Sequence, residues 1–138
     1  MEPITYTTQH LVKSEELNHH GTLYAGRTAE WFVESGFIAA ASLTTPQNIV
    51  CLRIHGMTFT APVKLGSLAR FDSKVVDTGR TRIVTHIEMK VKGIVAVEGF
   101  ITFINVDLTG SPLPHGITIT PVTAEDIALQ EKACALAG

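Results

Sequence analysis

Two hydrophobic periods divide this chain. From about Leu23 to Leu43 the apolar residues Trp31, Phe32, Val33, Phe37, Ile38 and Ala39 to Ala41 nearly surround one helical candidate. A helix apolar on most sides is enclosed by other elements rather than laid on a surface. Its charges, Arg27, Glu30 and Glu34, recur at three- and four-residue spacing and so share one face. Pro46 closes the region.

After Pro46 the period changes from helical to two. Val50 to Phe59 (VCLRIHGMTF) predicts a strand with a bulge or bend at Gly56. Ala61 to Gly66 predicts a turn. Ser67 to Asp77 alternates, with Ala69, Phe71 and Val75 opposed to Arg70, Asp72 and Lys74. Thr78-Gly79-Arg80 predicts a hairpin turn. Thr81 to Lys92 alternates again, with Ile83, Ile87, Met89 and Val91 opposed to Arg82, His86, Glu88, Lys90 and Lys92; Gly93 predicts the next turn. Ile94 to Val106 (IVAVEGFITFINV) is apolar on both faces, which suits a central strand. Tyr6 to Val12 is β-prone and suits an edge strand, and Ser14 to Gly21 reads as a loop. Leu108 to Thr120 is a Pro/Gly loop. Thr123 to Leu136 predicts a short helix with Thr123 as N-cap and Glu125 and Asp126 in its first turn. The order is that of an α+β domain spanning residues 1–138, an antiparallel sheet wrapped around one enclosed helix. An open sheet edge would remain, and a second copy would cover it.

Composition narrows the class. The 138 residues are 45% hydrophobic and only 17% charged, and the mean hydropathy is positive. Those values predict apolar surface buried between subunits, hence a homo-oligomer. A net charge of −2 leaves no broad basic footprint for nucleic acid. Cys51 and Cys134 make neither a disulfide framework nor a zinc set, which points to a reducing cytoplasm. The opening MEPITYTTQH has no leader pattern, and no run approaches a membrane span, so a soluble cytoplasmic protein is expected. Metal-ligand spacing, a Walker loop and a serine-nucleophile elbow are all absent from the sequence.

The candidate chemistry gathers in LNHHGTLYAGRTAEWFVESG, Leu17 to Gly36. The first amides of a helix lack intrahelical partners and carry partial positive charge, so they can polarise a carbonyl. Gly21 and Gly26 would let a ligand approach the backbone, Asn18 offers an amide donor, and Glu34 offers a general base or nucleophile. The same residues also suit ordinary roles. Asn and Gly cap helices, and Arg27, Glu30 and Glu34 make a solvated stripe. His55 and His86 fit strand or interface hydrogen bonds better than catalysis. Local chemistry alone leaves the capped helix and the oxyanion site both open.

NHHGTLYAGRTAEW followed by an apolar helix resembles the acyl-CoA thioesterase (acyl-CoA hydrolase) branch of the hotdog-fold superfamily, whose pattern reads roughly N-x-x-G-T-L-F-G-G-x-x-x-x-W. GMTFTAPVKLGS and VVDTGRTRIVTHIEMKV resemble its next two segments, in the same order, over roughly Leu11 to Asp107. The resemblance implies a hotdog fold, dimers with sheets joined edge to edge, and active sites at the dimer interface. It places Asn18 on the active-site asparagine, Gly21 and Thr22 on the G-T, and Gly26 on the second glycine, with Ala25 on the first. Val33 falls on the usual acid position and Glu34 on the next, and Arg82 replaces the serine of the G-R-T-S hairpin while Thr81 remains. Three arrangements fit that departure: a site rebuilt around Glu34, lost chemistry, or a carboxylate from elsewhere, across the dimer interface. His20, Gly21, Thr22, Arg53, Arg80, Thr81 and Arg82 are the candidates for binding substrate and coenzyme A, the arginines because guanidinium forks suit phosphate. The expected activity is hydrolysis of an acyl-CoA thioester, with coenzyme A present only as part of the substrate and no metal. The alternatives are a non-hydrolytic acyl-CoA or acyl-carrier binder and a hotdog dehydratase or hydratase.

Overall fold

Period-two alternation in the second half of the chain becomes four long antiparallel strands, and the apolar helical segment before it lies across them. The computed structural model describes residues 1–136. In chain order the elements are β1 (Tyr6–Leu11), α1 (Ala25–Ala41), β2 (Ile49–Phe59), β3 (Leu68–Thr78), β4 (Arg82–Val91), β5 (Ile94–Asn105) and α2 (Ala124–Leu136). The first helix is two residues shorter at each end than its apolar pattern suggests. At its start the cause is competition from tertiary hydrogen bonds: Leu23 N–H donates to the Val63 carbonyl at 2.7 Å, and Tyr24 N–H to the Glu16 carbonyl at 2.8 Å.

The strands form one sheet in the order β1-β3-β4-β5-β2, with every neighbouring pair antiparallel. The central position expected for β5 and the edge position expected for β1 both hold. On the inner face, Met89 pairs with Phe71 and Val97, and Val97 pairs with Phe59. The next inner row is Ser73, Ile87, Gly99 and Met57. Across these rows lies α1, with Phe32, Ala39 and Ala40 fully buried. The Ser73 hydroxyl donates to the Ser35 carbonyl at 2.7 Å. A Cβ on Gly36 would come within 3.1 Å of both Ile87 and Thr85, so helix and sheet approach closely there. This is the hotdog arrangement, a sheet wrapped around one helix.

The outer face carries a second, smaller core. Leu129 and Ala133 of α2 pack on Val76, Val84 and Phe100. An ion pair from Lys74 to Asp126 and two bonds from Gln130 Nε2, to the carbonyls of Val76 and Ile119, fasten the helix there. Thr123 caps α2 as expected, accepting the Asp126 N–H at 3.1 Å. The remaining edge, β2, is unpaired on its outer side and exposes Val50, Leu52 and Ile54. Among the described residues, no helix is long and apolar enough to cross a membrane.

One contact is intolerant of any side chain. The bulge in β2, where Gly56 has φ 122°, turns its carbonyl onto the inner side of Gly99, and the Phe32 ring lies beside it. A Cβ at position 99 would overlap the Gly56 carbonyl oxygen, which is backbone and cannot swing aside. Gly99→Ala is expected to destabilise the fold by at least about 1–3 kcal/mol. A lowered urea midpoint with an unchanged slope would support this packing, and a wild-type midpoint would contradict it.

Candidate functional site

Asn18 closes the turn that leads into α1. Its Oδ1 accepts the N–H groups of His20 at 2.9 Å and Thr22 at 3.2 Å, while its Nδ2 donates to Thr22 Oγ1 at 3.2 Å. Its own N–H reaches the Thr22 carbonyl at 2.8 Å. Asparagine suits this role because its short amide can imitate backbone in a turn. Gly21 takes φ 78° inside the loop, a conformation glycine adopts without steric cost. Bridges from Thr22 to Lys64 and from Leu23 to Val63 pin the turn to the connection between β2 and β3. The N-cap of α1 is Tyr24, which supplies no side-chain cap bond. The first-turn amides of Ala25 and Gly26 therefore keep donor capacity at the positive end of the helix.

Between this helix start and the sheet lies a cleft of about 360 Å³. Leu23, Thr28, Val63, Met89 and Val97, all buried, form its floor, while Asn18, Thr22, Phe59, Thr60 and Pro62 stand at its more open rim. Its polar side-chain groups are uncharged, namely the Asn18 amide and threonine hydroxyls. Among the described residues no carboxylate and no histidine lines it. Such a cleft can seat an apolar group and polarise a carbonyl at its mouth. It does not by itself hold a base for water.

The expected site residues separate into groups. Asn18 and Thr22 line the cleft, and His20 and Gly21 lie on the exposed turn beside it. Gly26 is covered by the Tyr24 ring, which occupies the space a Cβ would take. Glu34 lies on the opposite side of α1, about 180° from Ala25 at about 100° per residue. Its side chain is 60% exposed, and His10 lies beside it, with Nε2 3.9 Å from the carboxylate. His10 in turn stacks on Trp31 at 4.3 Å, so this side of the helix faces β1. Val33 shares a stripe with Phe37, whose ring meets Phe103 of β5, so that stripe faces the β5–β2 side.

Arg80, Thr81 and Arg82 sit at the β3–β4 turn, at the far end of the sheet from the cleft in the same protomer. Arg82 is opposite Ile104 and Ile104 opposite Val50, whereas Met89 is opposite Val97 and Val97 opposite Phe59. The strand from Arg82 to Met89 spans about 23 Å. Arg82 is held by Asp77, with Nη2 at 3.0 Å from Oδ2. Arg53 is exposed on the edge strand β2.

Sequence reasoning missed Thr28 and the His10–Glu34 neighbourhood. Thr28 was within reach, since it falls in helical phase with Ala25, Phe32 and Gly36 on the inner face. His10 carried no local signal, because its contact requires β1 to lie beside α1. Of the two strand histidines, His55 makes a hydrogen bond as expected and His86 Nε2 makes none among the described residues. His55 Nε2 meets Thr102 Oγ1 at 2.6 Å. The His86 ring is almost fully buried, with Nε2 3.3 Å from Glu98 Oε2 but without hydrogen-bond alignment.

Burial pushes the His86 pKa below the ordinary imidazole range, against the opposing pull of Glu98 and Glu88 and with a smaller contribution from Lys74. As pH falls through about 6.5, the unfolded chain takes up a proton that the folded chain resists. Stability is therefore expected to decline below about pH 6.5 and to level only once the folded imidazole itself titrates. His86→Gln should flatten the fall in urea midpoint over that window. An unchanged pH dependence in the variant would contradict the assignment.

The profile of the Thioesterase superfamily matches residues 20–98. The acyl-CoA thioester hydrolase YciA of Salmonella typhimurium is 27% identical over 113 residues, covering 75% of this chain and 84% of that protein. The fold is shared with an acyl-CoA hydrolase from Bacillus cereus, with TM-score 0.86 and 22% identity over 96% of this chain and 84% of that one. A hexameric thioesterase from Yersinia pestis superposes with TM-score 0.72 and 26% identity, covering 78% of this chain and 91% of that one.

Proposed function

The chain belongs to the Thioesterase superfamily, and from that premise we propose that it hydrolyses acyl-CoA thioesters to free acid and coenzyme A. The observation that carries this reading is the cleft at the start of α1, where an apolar floor meets uncapped helix amides and the Asn18 turn. A thioester carbonyl at the mouth would point its oxygen at the amides of Ala25 and Gly26, with the Asn18 amide alongside. Those donors are fixed before the reaction and face the oxygen on which negative charge develops during attack.

The working unit is a homo-oligomer paired along β2. The open edge with exposed Val50, Leu52 and Ile54 supports that pairing, since buried apolar side chains contribute favourably and an unpaired edge recruits another strand. An antiparallel two-fold joint along β2 would set the Val50 end of one copy beside the Phe59 end of the other. It would bring Arg53, Arg80 and Arg82 of one copy toward the cleft of its neighbour, where their guanidinium groups could meet the phosphates of coenzyme A. Val33 occupies the position of the usual acid in the family pattern, and Glu34 is the carboxylate proposed to activate water. Because it faces β1, away from the β2 joint, it would reach a cleft through a second contact between copies on the β1 side. Its exposure and the absence of a short ion pair leave it available, whereas Glu30 is paired with Arg27 at 3.1 Å.

The carboxylate-free cleft favours a second reading, a binder of acyl-CoA or acyl-carrier thioesters that does not hydrolyse them. Measured coenzyme A release from an acyl-CoA panel separates the two. Hydrolysis predicts turnover in the wild type and a loss of roughly 10²–10³ in kcat for Asn18→Ala, as for one oxyanion donor. It also predicts a loss of roughly 10²–10⁴ for Glu34→Gln, as for a general base. Saturable binding without turnover would establish the second reading, and full turnover in Glu34→Gln would remove Glu34 from the mechanism.

A further inference from the structure

Behind the cleft's inner row, one large side chain lies between α1 and the sheet. Ala25 and Thr28 stand over the row formed by Met89 and Val97, each 1% exposed. One helical turn beyond Thr28, Phe32 is completely buried, and its Cζ lies 3.0 Å from where a Cβ on Gly99 would sit. The row after Met89 and Val97 is therefore filled by the Phe32 ring resting on bare backbone. A turn further on, Gly36 lies directly against Ile87 and Thr85, so helix and sheet are in close contact there. From Ala25, where the carbonyl donors are, to Phe32, where the space ends, α1 rises only about 10 Å.

We propose that this cleft accepts short acyl groups and that Phe32 is the residue that stops the chain, so the substrates are short-chain rather than long-chain acyl-CoA thioesters. The inference rests on the thioesterase reading above for the identity of the ligand, but the length limit comes from packing. Once the carbonyl is fixed at the helix start, each methylene that fits against Leu23, Val63, Met89 and Val97 leaves water and strengthens binding by about fourfold. A methylene that reaches Phe32 gains nothing, because close-packed interiors yield to extra volume only with strain. Opening the limit needs no new chemistry, only a smaller side chain at position 32.

The test is a chain-length series of acetyl-, butyryl-, hexanoyl-, octanoyl- and palmitoyl-CoA, with dissociation constants and kcat/KM measured separately. Wild-type protein and Phe32→Leu are compared, with thermal melts to show that the variant is folded. In the wild type, affinity and kcat/KM should climb from acetyl to a short-chain optimum and then fall, with palmitoyl-CoA at least about tenfold below the best substrate. Phe32→Leu should move the optimum to a longer chain. If Phe32→Leu does not fold, the wild-type series decides alone. Palmitoyl-CoA equal to or better than butyryl- and hexanoyl-CoA would overturn the proposal, as would a folded Phe32→Leu with the wild-type optimum. If nothing is hydrolysed while short chains still bind best, the thioesterase reading fails and the length limit stands.

Discussion

The close seating of α1 on the sheet is the constraint from which the rest of the molecule follows. Phe32 rests against Gly99, Gly36 lies against Ile87 and Thr85, and the Ser73 hydroxyl holds the Ser35 carbonyl. Neither of the two glycine contacts tolerates a larger group without movement of its neighbours. They fix the height and rotation of the helix, and so fix what its N-terminus overhangs. That is the Met89–Val97 row, above which the missing side-chain bulk of Ala25 and Thr28 leaves space. The cleft is thus a consequence of how the helix is seated, with small residues at its first turn and a large one just behind.

The same rotation sorts the charges. With Ala25, Thr28, Phe32 and Gly36 turned inward, Arg27, Glu30 and Glu34 face outward, and the cleft is left with uncharged donors only. An apolar floor and a neutral, polar mouth would place a bound carbonyl in surroundings where hydrogen bonds from fixed amides count for more than they do in water. The Asn18 turn contributes by holding the approach to the helix rigid. Its amide is spent largely on His20 and Thr22, which sets the geometry of the mouth before any ligand arrives. The carboxylate proposed as the base, Glu34, lies outside this surface, so the proposed hydrolysis draws on a group that the cleft itself does not carry.

Much of the fold was legible because period and turn chemistry are local. The alternation of Ala69, Phe71 and Val75, and of Ile83, Ile87 and Met89, placed the inner face correctly, and Thr123 marked the start of α2. The mouth of the cleft was legible too, since Asn18, Thr22 and the start of α1 lie within one short segment. The far end of the candidate site was not. Arg80 and Arg82 fall on either side of Thr81 in sequence, but only the strand order places them at the opposite end of the sheet from Asn18. Strand order is set by crossovers, β1 beside β3 and β2 beside β5, which no local pattern encodes. Glu34 lay between these cases. Its rotation from Val33 could be counted along the helix, but its neighbour His10 depends on where β1 docks.

The central claim is that the start of α1 polarises the substrate carbonyl. The most direct measurement is the infrared stretch of a carbon-13-labelled carbonyl in a non-hydrolysable acyl-CoA analogue bound to the protein. Polarisation by the first-turn amides and Asn18 predicts a shift to lower frequency on binding, reduced in Asn18→Ala when both proteins are saturated. A bound carbonyl that absorbs at its solution frequency, in wild type and variant alike, would contradict the account.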